Sequence, residues 1–149
     1  MINLKIAEVF FSCQGEGVST GVPAVFIRLA GCNLMCGGSE GSLIKEGKAS
    51  WWCDSERIWR EGKETTYEEL ETLILKQATL DDIVEGTTHL VWTGGEPTIT
   101  IARIGIMGFL DYFYKKYPQA EHTMFNEIET NGTKVVGEEF YNKYIQQIN

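Results

Sequence analysis

Apolar and polar positions along the 149-residue chain follow two alternating periods. AVFIRLAGC, residues 24–32, is a β-branched and aromatic run closing on Gly31, and TTHLVWTGG, residues 87–95, closes the same way, which predicts two strands buried in a sheet. In TMFNEIETNG, residues 123–132, Met124, Asn126 and Ile128 alternate with Phe125, Glu127 and Glu129 before the turn signal Asn131-Gly132. That predicts a third strand with carboxylates on one face, and Leu4 to Phe11 offers a fourth. Between them the period changes. Thr66 and Glu69 form a capping box ahead of the stripe Tyr67, Leu70, Leu73 and Ile74, which predicts a helix over 66–78. From Ile99 to Tyr117, Ile101, Ile104, Phe109 and Tyr112 recur at helical intervals up to Pro118, and Glu138 to Ile148 repeats the pattern more weakly. Helices separating strands predict right-handed crossovers, an α/β fold and a parallel sheet. Ligands gather at the carboxyl ends of such strands, where the Gly-rich motifs fall.

Composition changes this picture little. With 43% hydrophobic and 23% charged residues, the chain has the length and apolar content of one domain, residues 1–149. No stretch approaches the roughly 20 apolar residues of a membrane span, and MINLKIAEVF lacks the parts of a signal peptide. The expectation is a soluble, cytoplasmic protein with no membrane partner. Thirteen basic against 21 acidic residues leave a net charge of −8, which repels phosphates and predicts a small-molecule partner with no direct nucleic-acid binding.

The cysteines carry the chemistry. In a reducing compartment, Cys32, Cys36 and Cys53, gathered around one Gly-rich loop, read as metal ligands or reactive thiols and not as disulfides. Zinc in a closed structural site takes four ligands, usually in two short-spaced pairs, and here Cys32-x3-Cys36 has only Cys53 beyond it, with His89 and His122 far off in sequence. Three cysteines on a four-iron cluster would leave one iron open to a cofactor. Zinc and simple packing of small apolar side chains stay open on spacing alone. Cys13, without a short-spaced partner, reads as packing or a local backbone requirement outside that set.

In this order, SCQGEGVSTGVPAVFIRLAGCNLMC (12–36), WCDSE (52–56), VWTGGEPT (91–98) and ETNGT (129–133) resemble the 7-carboxy-7-deazaguanine synthases, radical S-adenosylmethionine enzymes of 7-deazapurine (queuosine-type) biosynthesis. The resemblance covers most of the chain and implies a reduced version of the partial (β/α) barrel of that superfamily, lacking its later strands. It implies a 4Fe-4S cluster on Cys32, Cys36 and Cys53, with loop 32–53 as an expanded cluster loop. S-adenosylmethionine is expected near Trp52, Cys53, Asp54, Gly94, Gly95, Glu96 and Glu129. A pterin substrate is expected near Cys13, Gln14, Gly15, Glu16, Arg28 and Thr93. Mg2+ is expected at Ser55, where the family usually has Thr; Ser keeps the oxygen.

Physical readings stand beside these. Gly94 and Gly95 let backbone approach a ligand closely, and Glu96 supplies charge for an amino group. Arg28, inside an apolar run, is expensive to bury alone; its fork suits a substrate carboxylate or, in the plainer reading, a structural ion pair with a Glu. The implied reaction begins with hydrogen abstraction from C6 of 6-carboxy-5,6,7,8-tetrahydropterin. Ring contraction with loss of ammonia then gives 7-carboxy-7-deazaguanine, with an electron donor such as flavodoxin or ferredoxin. An activase for a glycyl radical enzyme and a non-catalytic cluster- or zinc-binding module are the rival readings. An open parallel sheet leaves an edge uncovered, so a homodimer is expected, with Phe140, Tyr141, Tyr144 and Ile145 covering part of that surface.

Overall fold

The computed structural model describes residues 3–149. Six strands, β1 (Leu4–Cys13), β2 (Pro23–Leu29), β3 (Lys63–Thr65), β4 (His89–Thr93), β5 (Asn126–Ile128) and β6 (Gln147–Ile148), form one sheet in the order β3-β1-β2-β4-β5-β6. The helices are α1 (Ser42–Lys45), α2 (Glu56–Arg60), α3 (Tyr67–Leu75), α4 (Leu80–Val84), α5 (Thr100–Lys116), α6 (Ala120–Thr123) and α7 (Glu138–Tyr144). The three strong strands and the fourth near the N-terminus are present, and α3 begins at the expected capping box, with Thr66 and Glu69 each bonding the other's backbone N–H.

The sheet is mixed, which corrects the expected parallel arrangement. β2, β4, β5 and β6 run parallel, whereas β1 lies antiparallel to both β2 and β3. The reason is the connection 14–22, which holds only a single 3-10 turn at Gly17–Ser19. A parallel crossover needs roughly a dozen residues or more, so this shorter link returns the chain as a hairpin.

One irregularity decides which side chains share a face. The β1–β2 register runs Ile6 to Leu29 and then Glu8 to Arg28, leaving Ala7 as a bulge. Before it, Leu4 and Ile6 face the main core with Val25, Ile27, Leu29, Leu90 and Trp92. Beyond it the parity inverts, so Phe10 stacks on Phe26, centroids 5.1 Å apart, in a smaller cluster with Ala24 and Val91 on the opposite face. That second face points into the open side of the half-barrel and bears the polar residues of the site.

Helix α5 covers the core face on a stripe that keeps Phe109 and Tyr112 of the expected one but not Ile101 or Ile104. Ile101 and Ile104 are 71% and 41% exposed, while Ala102, Gly105, Ile106, Phe109, Leu110 and Phe113 are buried. A side chain on Gly105 would collide with Leu4, so the helix approaches β1 through its small residues, which a count of bulky positions overlooks. The C-terminal segment is also corrected. Its helix stops at Tyr144, Ile145 is extended, and β6 adds an edge strand. Phe140, Tyr144 and Ile145 lie 3%, 2% and 7% exposed in this chain's own core with Tyr141 packed against it, so they are not available to cover a second copy.

Between α3 and α5, the buried Glu71 carboxylate accepts from Tyr112 Oη (2.6 Å), Tyr117 Oη (2.7 Å) and Lys116 Nζ (2.8 Å). Burial works to raise its pKa, but the bonds from Lys116 and the two tyrosines prevail and hold the carboxyl below its ordinary value. Glu71→Ala should destabilise the fold by about 2 kcal/mol at neutral pH, most of it through the tyrosines, because Lys116 is half exposed. A depressed folded pKa contributes stability above the unfolded value of about 4.3 and loses it as pH falls through the folded value. Chemical denaturation of parent and variant should therefore converge below that range; an undiminished gap in acid contradicts this role for the clamp.

Candidate active site

The carboxyl ends of β2, β4 and β5 open on a cavity of about 430 Å³. All three loop cysteines line it, half-buried and with free thiols. Cys32 follows β2, while Cys36 and Cys53 are joined across the intervening loop by the Cys53 N–H to Cys36 carbonyl bond of 3.2 Å. A larger groove of about 560 Å³ runs between β1 and α3, but no cysteine or glycine motif reaches it.

The cluster loop has its own internal support. Glu40 sits in the left-handed region at φ 50°, unusual for a residue with a side chain, and its N–H bonds Glu56 Oε2 at 3.0 Å. Glu56, buried on α2, also holds Arg60 at 2.6 Å. Burial works to raise the Glu56 pKa, yet the Glu40 N–H and the Arg60 guanidinium together lower it. Trp52 packs over Gly41 and turns away from the cysteine cavity toward a separate hollow of about 360 Å³ beside Arg57 and Arg60.

Gly94 and Gly95 take φ of 67° and 51°, and a methyl group on either would strike Arg28 or the Gly31 carbonyl respectively. Glu96 does not line the cavity. It is 1% exposed, and its carboxylate accepts from the Thr98 N–H (2.8 Å), the Thr98 hydroxyl, the Thr130 hydroxyl (2.7 Å) and the Asn131 N–H (2.7 Å). Its own N–H bonds the Gly31 carbonyl at 2.8 Å. The negative charge read as facing a ligand's amino group instead ties three loops together.

Arg28 lines the cavity over the Phe10 ring. Its Nε donates to Glu8 Oε1 at 2.7 Å and one terminal nitrogen to Ser55 Oγ at 3.2 Å, so the structural ion pair is realised. Glu8 stands opposite Arg28 because of the bulge at Ala7. Ser55 Oγ in turn donates to Asp54 Oδ1 at 2.8 Å, and both residues line the cavity.

Glu16, Thr93 and Glu129 complete the wall, with Thr93 Oγ1 donating to Glu129 at 2.5 Å. Gln14 lies behind them, 2% exposed, with every capacity of its amide used. Nε2 donates to Glu127 (3.1 Å) and Glu129 (3.4 Å), while Oε1 accepts the N–H groups of Gly15 and Glu16. Cys13, read as packing or a local backbone requirement, is exposed, and neither it nor Gly15, both expected near the substrate, borders the cavity.

Several lining residues carried no recognisable mark. Phe10 and Phe26 form the floor, Leu34 and Trp59 the rim, and Asn131, read only as a turn former, faces Cys32. A fully buried Glu127 paired with His89 at 2.5 Å beneath Gln14 was visible only as an acidic strand position.

No family model matches the chain. It is 39% identical to the 7-carboxy-7-deazaguanine synthase of Rhodopirellula baltica over 73% of this chain and 34% of that protein. The corresponding synthase of Clostridium acetobutylicum is 33% identical over 89% of this chain and 48% of its own length, and that of Halobacterium salinarum 32% over 87% and 40%. The crystal structure of QueE from Escherichia coli is similar with a TM-score of 0.55 and 30% identity, covering 90% of this chain and 54% of that one. The chain thus spans about a third to a half of the length of the curated relatives it matches. Its fold is an α/β partial barrel, an open mixed sheet similar to that of QueE.

Gly95→Ala should destabilise the fold by about 1–3 kcal/mol, since it combines an unfavourable φ with a collision against the Gly31 carbonyl. Gly15→Ala, where an added methyl group meets nothing, serves as the control in thermal denaturation. Equal melting temperatures for the two variants contradict the close approach.

Proposed function

We propose that this chain, which is related to the 7-carboxy-7-deazaguanine synthases, is a radical S-adenosylmethionine enzyme that converts 6-carboxy-5,6,7,8-tetrahydropterin to 7-carboxy-7-deazaguanine and ammonia. The observation that carries this reading is the meeting of three free thiols, a paired glycine turn, an arginine and a carboxylate in one cavity at the ends of parallel strands.

The donor set suits a four-iron cluster. Among the described residues no three His, Cys, Asp or Glu side chains converge as on a single ion. A cluster binds each thiolate through a different iron and needs no such convergence, so Cys32, Cys36 and Cys53 fit it better than they fit tetrahedral zinc. Cys32, Cys36 and Cys53 would hold the cluster, which together with S-adenosylmethionine would supply the hydrogen abstraction. Gly94 and Gly95 give a ligand access to backbone and Asp54 belongs to the cofactor side, while Trp52 acts through its packing on Gly41 of the cluster loop. Glu96 acts on the cofactor side by holding the glycine turn. On the substrate side, Arg28 binds a carboxylate with the guanidinium edge not held by Glu8, over the apolar floor of Phe10 and Phe26. Glu16 and Thr93 orient the pterin edge, Glu129, bonded to Thr93, belongs to the cofactor side, and Gln14 shapes the turn that presents Glu16.

Magnesium enters this reading at Ser55, with Asp54 as the neighbouring carboxylate. Arg28, now bonded to the same hydroxyl, would have to turn toward the substrate for that oxygen to face a cation. Residues 1–149 act in this reading as one domain, reduced by a flavodoxin or ferredoxin in the cytoplasm, where thiols stay free. No helix is long and apolar enough to cross a membrane among the described residues. A homodimer remains part of the proposal. Its contact passes to the outer edge of β1 beyond Ile6, unpaired among the described residues and bearing Phe11 at 49% exposure.

Anaerobic reconstitution with iron and sulfide, followed by S-adenosylmethionine and the tetrahydropterin, should yield 7-carboxy-7-deazaguanine by mass spectrometry; an assembled cluster without product contradicts the assignment. Alanine at Cys32, Cys36 or Cys53 should abolish the cluster's visible absorption, whereas Cys13→Ala should retain it. Retention in the Cys53 variant would overturn the ligand set. Arg28→Ala should keep the cluster and lose about one to two decades in substrate affinity, the equivalent of roughly 1.5–3 kcal/mol for a charge-assisted contact. Unfolding of that variant, without a selective loss of substrate binding, would return Arg28 to a purely structural ion pair with Glu8.

A further inference from the structure

We infer that Asn131 is a positioning residue whose carboxamide donates to Cys32 Sγ and sets the reduction potential of the cluster, an inference that rests on the cluster reading above. The three thiols are not equivalent. Cys32 Sγ receives the Leu34 N–H at 3.4 Å and Asn131 Nδ2 at 3.9 Å. Among the described residues no hydrogen bond reaches the sulfur of Cys36 or Cys53.

The amide is held in that orientation from every side. Its Oδ1 accepts both the N–H (3.1 Å) and the hydroxyl (2.6 Å) of Thr133, so the NH2 end must point the other way. There one hydrogen goes to Asn33 Oδ1 at 3.2 Å, leaving the second for the sulfur. Asn33 Nδ2 closes the ring on Thr133 Oγ1 at 2.8 Å, and the Asn131 N–H is anchored on Glu96 at 2.7 Å.

The physical consequence is electrostatic. Reduction adds negative charge to a cluster and its ligating sulfurs, in a cavity that already holds the carboxylates of Glu16, Asp54 and Glu129. An N–H dipole aimed at one sulfur stabilises that added charge and raises the potential, as outer hydrogen bonds do at iron–sulfur sites. Without it the cluster demands a stronger reductant.

The test is a potentiometric titration followed by electron paramagnetic resonance on the reconstituted 149-residue chain. Asn131→Asp keeps an acceptor for Thr133 but replaces the donor facing Cys32 with an oxygen, and Asn131→Leu removes the donor without adding charge. Thr133→Val removes the turn's hydroxyl bonds but keeps the Thr133 N–H on Asn131 Oδ1, which still turns the NH2 end toward the sulfur. Both Asn131 variants should titrate at a more negative potential than the parent, and Thr133→Val should not. An unchanged potential in Asn131→Leu, or an equal shift in Thr133→Val, overturns the inference, as does failure of both Asn131 variants to assemble a cluster. A parent chain that binds no four-iron cluster overturns the cluster reading and this inference with it; a normal cluster with insensitive variants overturns the inference alone.

Discussion

A single buried carboxylate holds the top of this half-barrel together. Glu96 closes β4's turn on Thr98, takes the hydroxyl and N–H of the two residues after Glu129, and through its own N–H grips the carbonyl just before Cys32. A buried charge is tolerable only when hydrogen-bonded, and the Glu96 carboxylate accepts four such bonds, from Thr98, Thr130 and Asn131. Three loops that could otherwise move separately are thereby fixed to one another. The left-handed turn at Gly94 and Gly95 follows, because only residues without side chains fit between Arg28 and Gly31.

The bulge at Ala7 plays the corresponding part in the sheet. It lets one strand contribute Leu4 and Ile6 to the helix-covered core and Glu8 and Phe10 to the opposite face. Without the inverted parity, Arg28 would lose the carboxylate that neutralises it and the aromatic floor beneath it. One inserted residue therefore joins the hydrophobic demand of the core to the charge arrangement of the cavity.

Behind the cavity wall the same face continues as a polar interior. His89, Glu127, Gln14 and Glu129 bond in sequence from the start of β4 toward the open end. Each satisfies the next, and no buried side-chain polar atom among the described residues lacks a partner. Such saturation makes the wall rigid, which suits a site whose work is orientation.

Local pattern alone was enough for much of this chain. The strands around Phe26, Val91 and Glu127, the capped helix at Thr66, and the helix ending before Pro118 depend on periodicity, caps and breakers, which act over a few residues. The cysteine set and the glycine turns were legible because their chemistry restricts residue type at each position. Tertiary structure alone decided the antiparallel first strand, the buried stripe of α5 chosen by contact of Gly105 with Leu4, and the burial of Phe140, Tyr144 and Ile145 in this chain's own core. It also decided which acidic residues line the cavity and which, like Glu96, brace it. These outcomes depend on partners distant in sequence, Glu96 with Asn131 and Gly31, Gln14 with Glu127, and Asn131 with Cys32. A side chain's type records what bonds it can make; only the folded chain determines which partners come within reach of them.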